Sequence, residues 1–141
     1  MNRNFFVFSI IAALLIAACT SANTGQDLVG TSWELVSLDG DPVEGMTIEG
    51  IDVTLEFISS TEAGGSGGCN SFGAEYSSDV NGSIDFSNIF STLMACEIGS
   101  DVEPAYFAAL DVADHYQVDG QTLTITGNGH TLIFDRTSES T

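Results

Sequence analysis

Three cysteines are the reactive sulfurs of this 141-residue sequence, and each sits in its own setting. Cys19 closes the run Ile16-Ala17-Ala18-Cys19. Cys69 follows Gly64-Gly65-Ser66-Gly67-Gly68 and precedes Asn70. Cys96 ends Thr92-Leu93-Met94-Ala95-Cys96, 27 positions after Cys69. A thiol can carry a lipid or join a second sulfur, and the compartment decides which chemistry is open to it. Enzymatic chemistry has less to work with. A nucleophile needs an adjacent base held by a third group. The only two histidines are His115, at the end of an expected helix, and His130, just after an expected turn. No His-x-x-x-His, Gly-x-Ser-x-Gly or Cys-x-x-Cys is present. Serines and carboxylates are abundant enough for a triad assembled by folding, so a hydrolase stays open as the third choice, with no catalytic residue to name.

Residues 1–18 differ from everything after them. Arg3 is their only charge, and Phe5 to Ala18 is apolar over 14 residues apart from Ser9. A spanning helix needs about 20 apolar residues, so this stretch suits a signal-peptide core instead. Small residues directly before a cysteine resemble a bacterial lipobox, which makes Cys19 the expected lipidation site and first mature residue. An ordinary secretory signal with an incidental cysteine is the alternative. Thr20 in the next position favours, by resemblance to enterobacterial lipoproteins, the outer membrane facing the periplasm. Acyl chains on Cys19 would exceed the two anchoring signals that stable attachment requires. Residues 19–27 are small and polar, a short flexible tether.

The 123 residues from Cys19 onward make one ordinary domain. With Cys19 lipidated, two cysteines remain in an oxidising compartment, and a Cys69–Cys96 disulfide is the default. Closing that loop is worth roughly 3.5 kcal/mol in the chain-entropy account. Two free buried thiols are the other possibility. All 20 Asp and Glu lie beyond residue 18, opposed there by Arg136 alone, so the mature chain carries 19 excess negative charges and no lysine. Nucleic acid and anionic lipid surfaces would be repelled. Asp79-Val80-Asn81-Gly82-Ser83-Ile84-Asp85 resembles a calcium loop only superficially, since it lacks the acidic spacing and terminal Glu. No metal or cofactor is expected.

The elements that must hold these residues are mostly strands. Thr31 to Leu38 alternates, with Trp33 and Leu35 inward. Trp33 is expected as core rather than as a ligand platform. Asp39-Gly40-Asp41-Pro42 is a turn. Ile51 to Ile58 alternates with Val53, Leu55 and Phe57 inward. The four glycines before Cys69 are expected as a loop that exploits positive φ. Without Lys or a following Ser/Thr-headed helix they make a poor phosphate cradle. Phe72, Ala74 and Tyr76 share one face of the next strand, Asp79 to Ser83 turns, and Ile84 and Phe86 begin another. Ile89 to Cys96 is apolar and expected to be buried on both sides for part of its length. Ser100-Asp101-Val102-Glu103 resembles a capping box opening a helix that runs to about His115. Its apolar stripe is Val102, Tyr106, Ala109, Leu110 and Ala113. Asp119-Gly120 and Asn128-Gly129 are expected two-residue hairpin turns. They separate Tyr116–Val118, Thr122–Thr126 and Thr131–Phe134, with Leu123 and Ile125 in phase with Leu132 and Phe134.

Taken in order, several of these pieces resemble the META domain family, which includes HslJ-like heat-shock lipoproteins. They are Trp33-Glu34-Leu35, Leu55-Glu56-Phe57, Gly68-Cys69-Asn70, Thr92-Leu93-Met94-Ala95-Cys96, the Glu103, Phe107, Leu110 helix, Tyr116 to Ile125, and Leu132-Ile133-Phe134. The two cysteine signatures are specific at their spacing; the hairpin pieces alone are weak. The sequence departs from the pattern in its lack of lysine and its polyglycine run before Cys69. The resemblance implies an α+β, β-rich fold: a curved antiparallel sheet, lipocalin-like as a partial barrel, with one packed α-helix and a C-terminal β-meander. It marks Trp33, Gly68, Cys69, Asn70, Thr92, Met94, Ala95 and Cys96 as motif residues. It implies envelope or stress-associated roles without an established catalytic activity. The expected organisation is a lipoprotein signal peptide at 1–18, a tether at 19–27, the domain at 28–136 and a disordered tail at 137–141. The expected function is a lipid-anchored, non-catalytic binding or structural module. It would be monomeric, bound to the membrane through lipid, and partnered by another envelope protein but not by nucleic acid. A small-molecule carrier using the concave face of the sheet is the alternative.

Overall fold

The computed structural model describes residues 27–44, 46–47, 50–96 and 101–137. The expectations for the leader, Cys19, the tether to residue 26, Ser100 and the tail from residue 138 fall outside that range. The domain begins at β1 (Ser32–Leu38), which turns through Asp39-Gly40 into the two-residue β2 (Asp41–Pro42). Both turn residues have positive φ, 54° and 92°. That is the turn whose twist matches the flanking strands. Four more strands follow: β3 (Thr54–Phe57), β4 (Glu62–Ser66), β5 (Ser71–Ser78) and β6 (Ile84–Ser91). After α1 (Val102–Asp111) come β7 (His115–Asp119), β8 (Thr122–Gly127) and β9 (His130–Arg136).

All strand pairings are antiparallel. They join in the order β6-β5-β4-β3-β1-β9-β8-β7, with β2 appended to β1. The N-terminal strand therefore lies mid-sheet, between two meanders. The sheet curls until its edges touch: Ser83 bridges His115, and the Tyr116 amide donates to the Gly82 carbonyl at 2.7 Å. Helix α1 packs against β6 and β9. This is the β-rich partial barrel with one helix that the sequence leads one to expect.

Alternation decides the interior. Trp33 and Leu35, Val53, Leu55 and Phe57, Phe72, Ala74 and Tyr76, Ile84 and Phe86, Tyr116 and Val118, Leu123 and Ile125, and Leu132 and Phe134 are all buried. Leu123 faces Phe134 and Ile125 faces Leu132 across β8 and β9. The helix contributes Val102, Tyr106, Ala109 and Leu110. Tyr106 is wholly buried, packs edge-on against Phe72 and Phe134, and donates a hydrogen bond from its hydroxyl to the Thr54 carbonyl at 3.1 Å. The indole of Trp33 donates to Thr31 Oγ1 at 2.7 Å, and the Arg136 guanidinium carbon lies 4.4 Å from its ring centroid. Trp33 is thus core, and the sole cation of the domain is spent on its face.

Four local expectations change. The glycine-rich stretch is largely strand: β4 pairs with β3 on one side and β5 on the other. A Cβ at Gly65 would fall 2.3 Å from the Thr54 carbonyl oxygen, so glycine there admits close strand approach as well as an unusual φ of 151°. The stretch Ile89 to Cys96 is not buried on both sides; Phe90, Leu93 and Met94 are exposed. Asn88, at φ 50°, sits where β6 spends three steps against two of β5. This bulge re-aims Phe90 outward. The helix ends at Asp111 rather than His115, because the Asp114 amide already donates to the Thr126 carbonyl of β8. The hairpin loop after β7 is Gly120-Gln121, with Asp119 still paired to Thr122 and only Gly120 at positive φ. Asn128-Gly129 is the expected turn, with both φ values positive.

Candidate functional site

The motif residues around the two distal cysteines converge on one side chain, Asn70. The link from β4 to β5 is short. Gly67 N–H donates to the Asn70 carbonyl at 2.8 Å, and Gly68 N–H donates to Ser66 Oγ at 3.1 Å. This tight turn points Cys69 toward Cys96, and the two are joined by a disulfide with their Cα atoms 6.2 Å apart. Asn70 lies beneath, 5% exposed and the one buried polar residue among those described. Its Oδ1 accepts from Thr92 Oγ1 at 2.9 Å and from the Met94 amide at 2.7 Å. Its Nδ2 donates to Glu103 Oε1 at 2.7 Å and to the Met94 carbonyl at 3.4 Å. Donors and acceptors are therefore both satisfied, as a buried amide requires.

Glu103 completes the arrangement from the helix. Its Oε2 accepts from the Asn70 amide at 2.7 Å and the Cys69 amide at 3.3 Å. A Cβ on residue 67 would land 2.6 Å from that oxygen, so Gly67 is the space the carboxylate occupies. The capping-box expectation for Glu103 is corrected accordingly. The N-cap is Asp101 without a side-chain cap bond, and the Glu103 carboxylate reaches across to Asn70 instead. Charge-assisted bonds to three donors outweigh one bond to an N-cap amide. In the sequence, Glu103 and Asn70 stand 33 positions apart with nothing to pair them.

The structure thus brings together Gly68, Cys69, Asn70, Thr92, Met94 and Cys96 and adds Glu103. Trp33 lies apart, in the barrel core. Ala95 is exposed on the strap from Thr92 to Cys96. Chemically the cluster is a clasp: a covalent bond and a hydrogen-bonded amide hold the strap and the helix start against the β4–β5 link.

Other candidates serve local roles. His130 Nδ1 lies 2.8 Å from Asp39 Oδ2, while Asp39 Oδ1 accepts from the Thr131 amide. That amide bond, and then His130, hold the Asp39 carboxyl below its ordinary range. The pair clamps two exposed turns together. Asp79 Oδ1 accepts from the amides of Asn81 and Ser83, which close its own turn and lower its pKa. Among the described residues no group of three or more His, Cys, Asp or Glu is placed to hold a metal. On the outer face, Glu34 stands directly opposite Asp135. Partial burial, then Asp52 and Asp135, raise the Glu34 pKa. Glu34, Glu44 and Asp52 line a cleft of about 730 Å³. A second cleft of about 410 Å³ lies between the β1–β2 hairpin and the helix, lined by Leu38, Val43, Met46, Val102 and Ala105. The barrel interior is filled by the aromatic and aliphatic side chains named above.

A family model described as the META domain matches residues 26–139. No curated protein matches. Among solved structures, an NMR structure of a protein from Burkholderia xenovorans is similar at 26% identity and a TM-score of 0.67, covering 99% of this chain and 100% of that one. A second NMR structure aligns at 22% identity and TM-score 0.62, over 77% of this chain and 90% of its own. A crystal structure of a DUF4847 family protein from Bacteroides vulgatus aligns at 16% identity and TM-score 0.59, over 80% and 96%. The last two speak to the fold alone.

Proposed function

The chain belongs to the META domain family, and from that premise we propose that it is a lipid-anchored envelope protein whose domain binds or supports a partner rather than turning over a substrate. The observation that carries this reading is the use made of the motif residues. Asn70 and Glu103 commit their polar atoms to each other, to the Cys69 and Asn70 amides, and to Thr92 Oγ1 and the Met94 backbone of the strap. Their work is to fix a surface. A reacting group would need a free acceptor or donor aimed at a substrate. The carrier alternative gains no support from the packed barrel interior, where Trp33, Leu55, Leu123 and Phe134 are fully covered.

The anchor rests on the sequence Ile16-Ala17-Ala18-Cys19. Lipid on Cys19 places the acidic domain in the bacterial envelope, at the outer membrane facing the periplasm by the Thr20 rule. Intact mass of the exported protein tests the anchor. Acyl mass on Cys19, lost together with membrane fractionation in Cys19→Ser, is the expected result. An unmodified Cys19 in the natively exported chain refutes it.

A further inference from the structure

The outer face of β3 to β6 carries an apolar strip that the clasp leaves exposed. Across these strands Glu56, Gly64, Gly73 and Phe90 form one outward row. The two glycines lack side chains, and their neighbours lie over them. A Cβ on Gly64 would meet Ile58 Cδ1 at 3.6 Å, and one on Gly73 would meet the Phe90 ring at 2.5 Å. Covering strand glycines explains where these side chains lie, but it does not hide them: Ile58 is 62% and Phe90 71% exposed. The strap leads on from Phe90 and exposes Leu93 at 95% and Met94 at 62%. Only the Met94 backbone takes part in the clasp.

Carboxylates border this strip. Glu56 ends the glycine row, and the next outward row pairs Glu62 with Glu75 directly across β4 and β5. Like charges so placed repel; among the described residues they meet only neutral donors, Asn88 Nδ2 on Glu75 at 2.5 Å and Ser59 Oγ on Glu62 at 3.4 Å. A second copy would bring these same carboxylates face to face, and an anionic membrane would meet 19 excess negative charges. The described chain starts beside the Ile58 end of the strip, where Asp27 shares a cleft with Ser60, and far from its strap end. Asp27 lines a cleft with Tyr76 and Ser78 at one end of β5, whereas Thr92 binds Ser71 at the other, about 24 Å away at strand spacing. A tether leading from Asp27 to lipid leaves Leu93 and Met94 at the end remote from the anchor. The four strands span about 14 Å across, wide enough for one helix of about 10 Å.

We propose that Ile58, Phe90, Leu93 and Met94, bordered by Glu56, Glu62 and Glu75, form a docking surface for a basic amphipathic segment of another protein. It deepens the reading of the domain as a binding module and rests on it. The segment's apolar stripe covers the strip and its Lys or Arg side chains meet the three glutamates.

The test titrates the isotope-labelled exported chain, in its Cys19→Ser form, with an 18-residue Lys/Leu amphipathic peptide. A Lys/Gln peptide of equal charge is the control. Amide shifts confined to Ile58, Gly64, Gly73 and Phe90 to Met94 are expected. Binding should weaken about tenfold in the Leu93→Ser, Met94→Ser double variant, as expected when buried apolar side chains are lost. These side chains are exposed, so the variant keeps its fold; Asp119→Asn, on a distant hairpin, should leave binding unchanged. Shifts spread over β7 to β9, equal binding of the Lys/Gln peptide, or an unaltered double variant overturns the proposal. So does capture by phosphatidylglycerol vesicles, or dimerisation, that the double variant abolishes. These results judge the surface alone, because the anchor is judged separately by the mass of Cys19.

Discussion

Replacing Asn70 by Asp alters two atoms' chemistry and tests the clasp directly. The Nδ2 of Asn70 donates to the Glu103 carboxylate at 2.7 Å and to the Met94 carbonyl. In Asn70→Asp an oxygen takes that place, so two carboxyl groups meet inside a site that is 5% exposed. Losing a bond to a charged group costs about 1.5–3 kcal/mol. Repulsion between two carboxylates whose charge centres lie about 4 Å apart adds about 4 kcal/mol at the effective dielectric of a partly buried pair. The introduced carboxyl escapes the larger part of this by holding a proton, and as an acid it can donate to Glu103. Its folded-state pKa therefore rises above its unfolded value near 4. A raised folded pKa means that stability is retained below the unfolded value and lost as pH climbs through the folded one. The variant should fall about 3–4 kcal/mol below wild type at pH 8 and recover at least half of that by pH 4.5. Asn70→Ala, which introduces no carboxyl, should show a loss of about 2–3 kcal/mol that changes little over the same range. Urea unfolding with the disulfide intact, analysed as variant minus wild type, removes the titration of all other carboxylates. Equal losses for Asp and Ala at pH 8, or a penalty for Asp that does not shrink in acid, would refute the clasp.

Sodium chloride between 0.01 and 1 M should raise the melting temperature, most steeply at the low end, because the Debye length falls from about 30 Å to about 3 Å. Calcium chloride at matched ionic strength should do the same and no more; a larger shift at micromolar calcium would reveal a specific site. Glu34→Gln should stabilise at neutral pH, since the raised Glu34 pKa reflects a charged form penalised by burial, Asp52 and Asp135. Its partial exposure to solvent keeps the gain to a few tenths of a kcal/mol, or about 1–3 °C, and the gain should vanish once pH falls below the ordinary glutamate range, where Glu34 is protonated in the folded and the unfolded chain alike. Gly127→Ala should cost about 3 kcal/mol or more in a thermal or urea melt, because its Cβ would overlap the Val112 carbonyl and crowd Ala113 Cα at 2.6 Å.

The strands were legible wherever one face meets the core and the other meets water. Val53, Leu55 and Phe57, or Leu123 and Ile125, announce themselves by their period alone. The glycines of β4 carry no such period. What makes them a strand is the Thr54 carbonyl on one side and the Phe72 backbone on the other, and neither partner is local. Ile89 to Cys96 misleads for the opposite reason. Its composition looks like core, but the bulge at Asn88 turns Phe90 out and the strap then leaves the sheet. The motif around Cys69 and Cys96 could be read as a staple, and the bond is there. Glu103 could not be paired with Asn70, because a Glu three positions past a Ser at a helix start has an adequate local explanation.

The placement of β1 bears on when the sheet can form. Each meander is built of hairpins between successive strands, which close quickly because the loops are short. β1 instead needs β3 on one edge and β9 on the other, and Trp33 reaches register with Arg136 only when the last residues of the domain are present. Such long-range pairing is slow relative to hairpin closure. A chain emerging N-terminus first therefore cannot complete its sheet until the final strand is free. Until then β1 can pair with β2 and β3 only, and its other edge waits for β9.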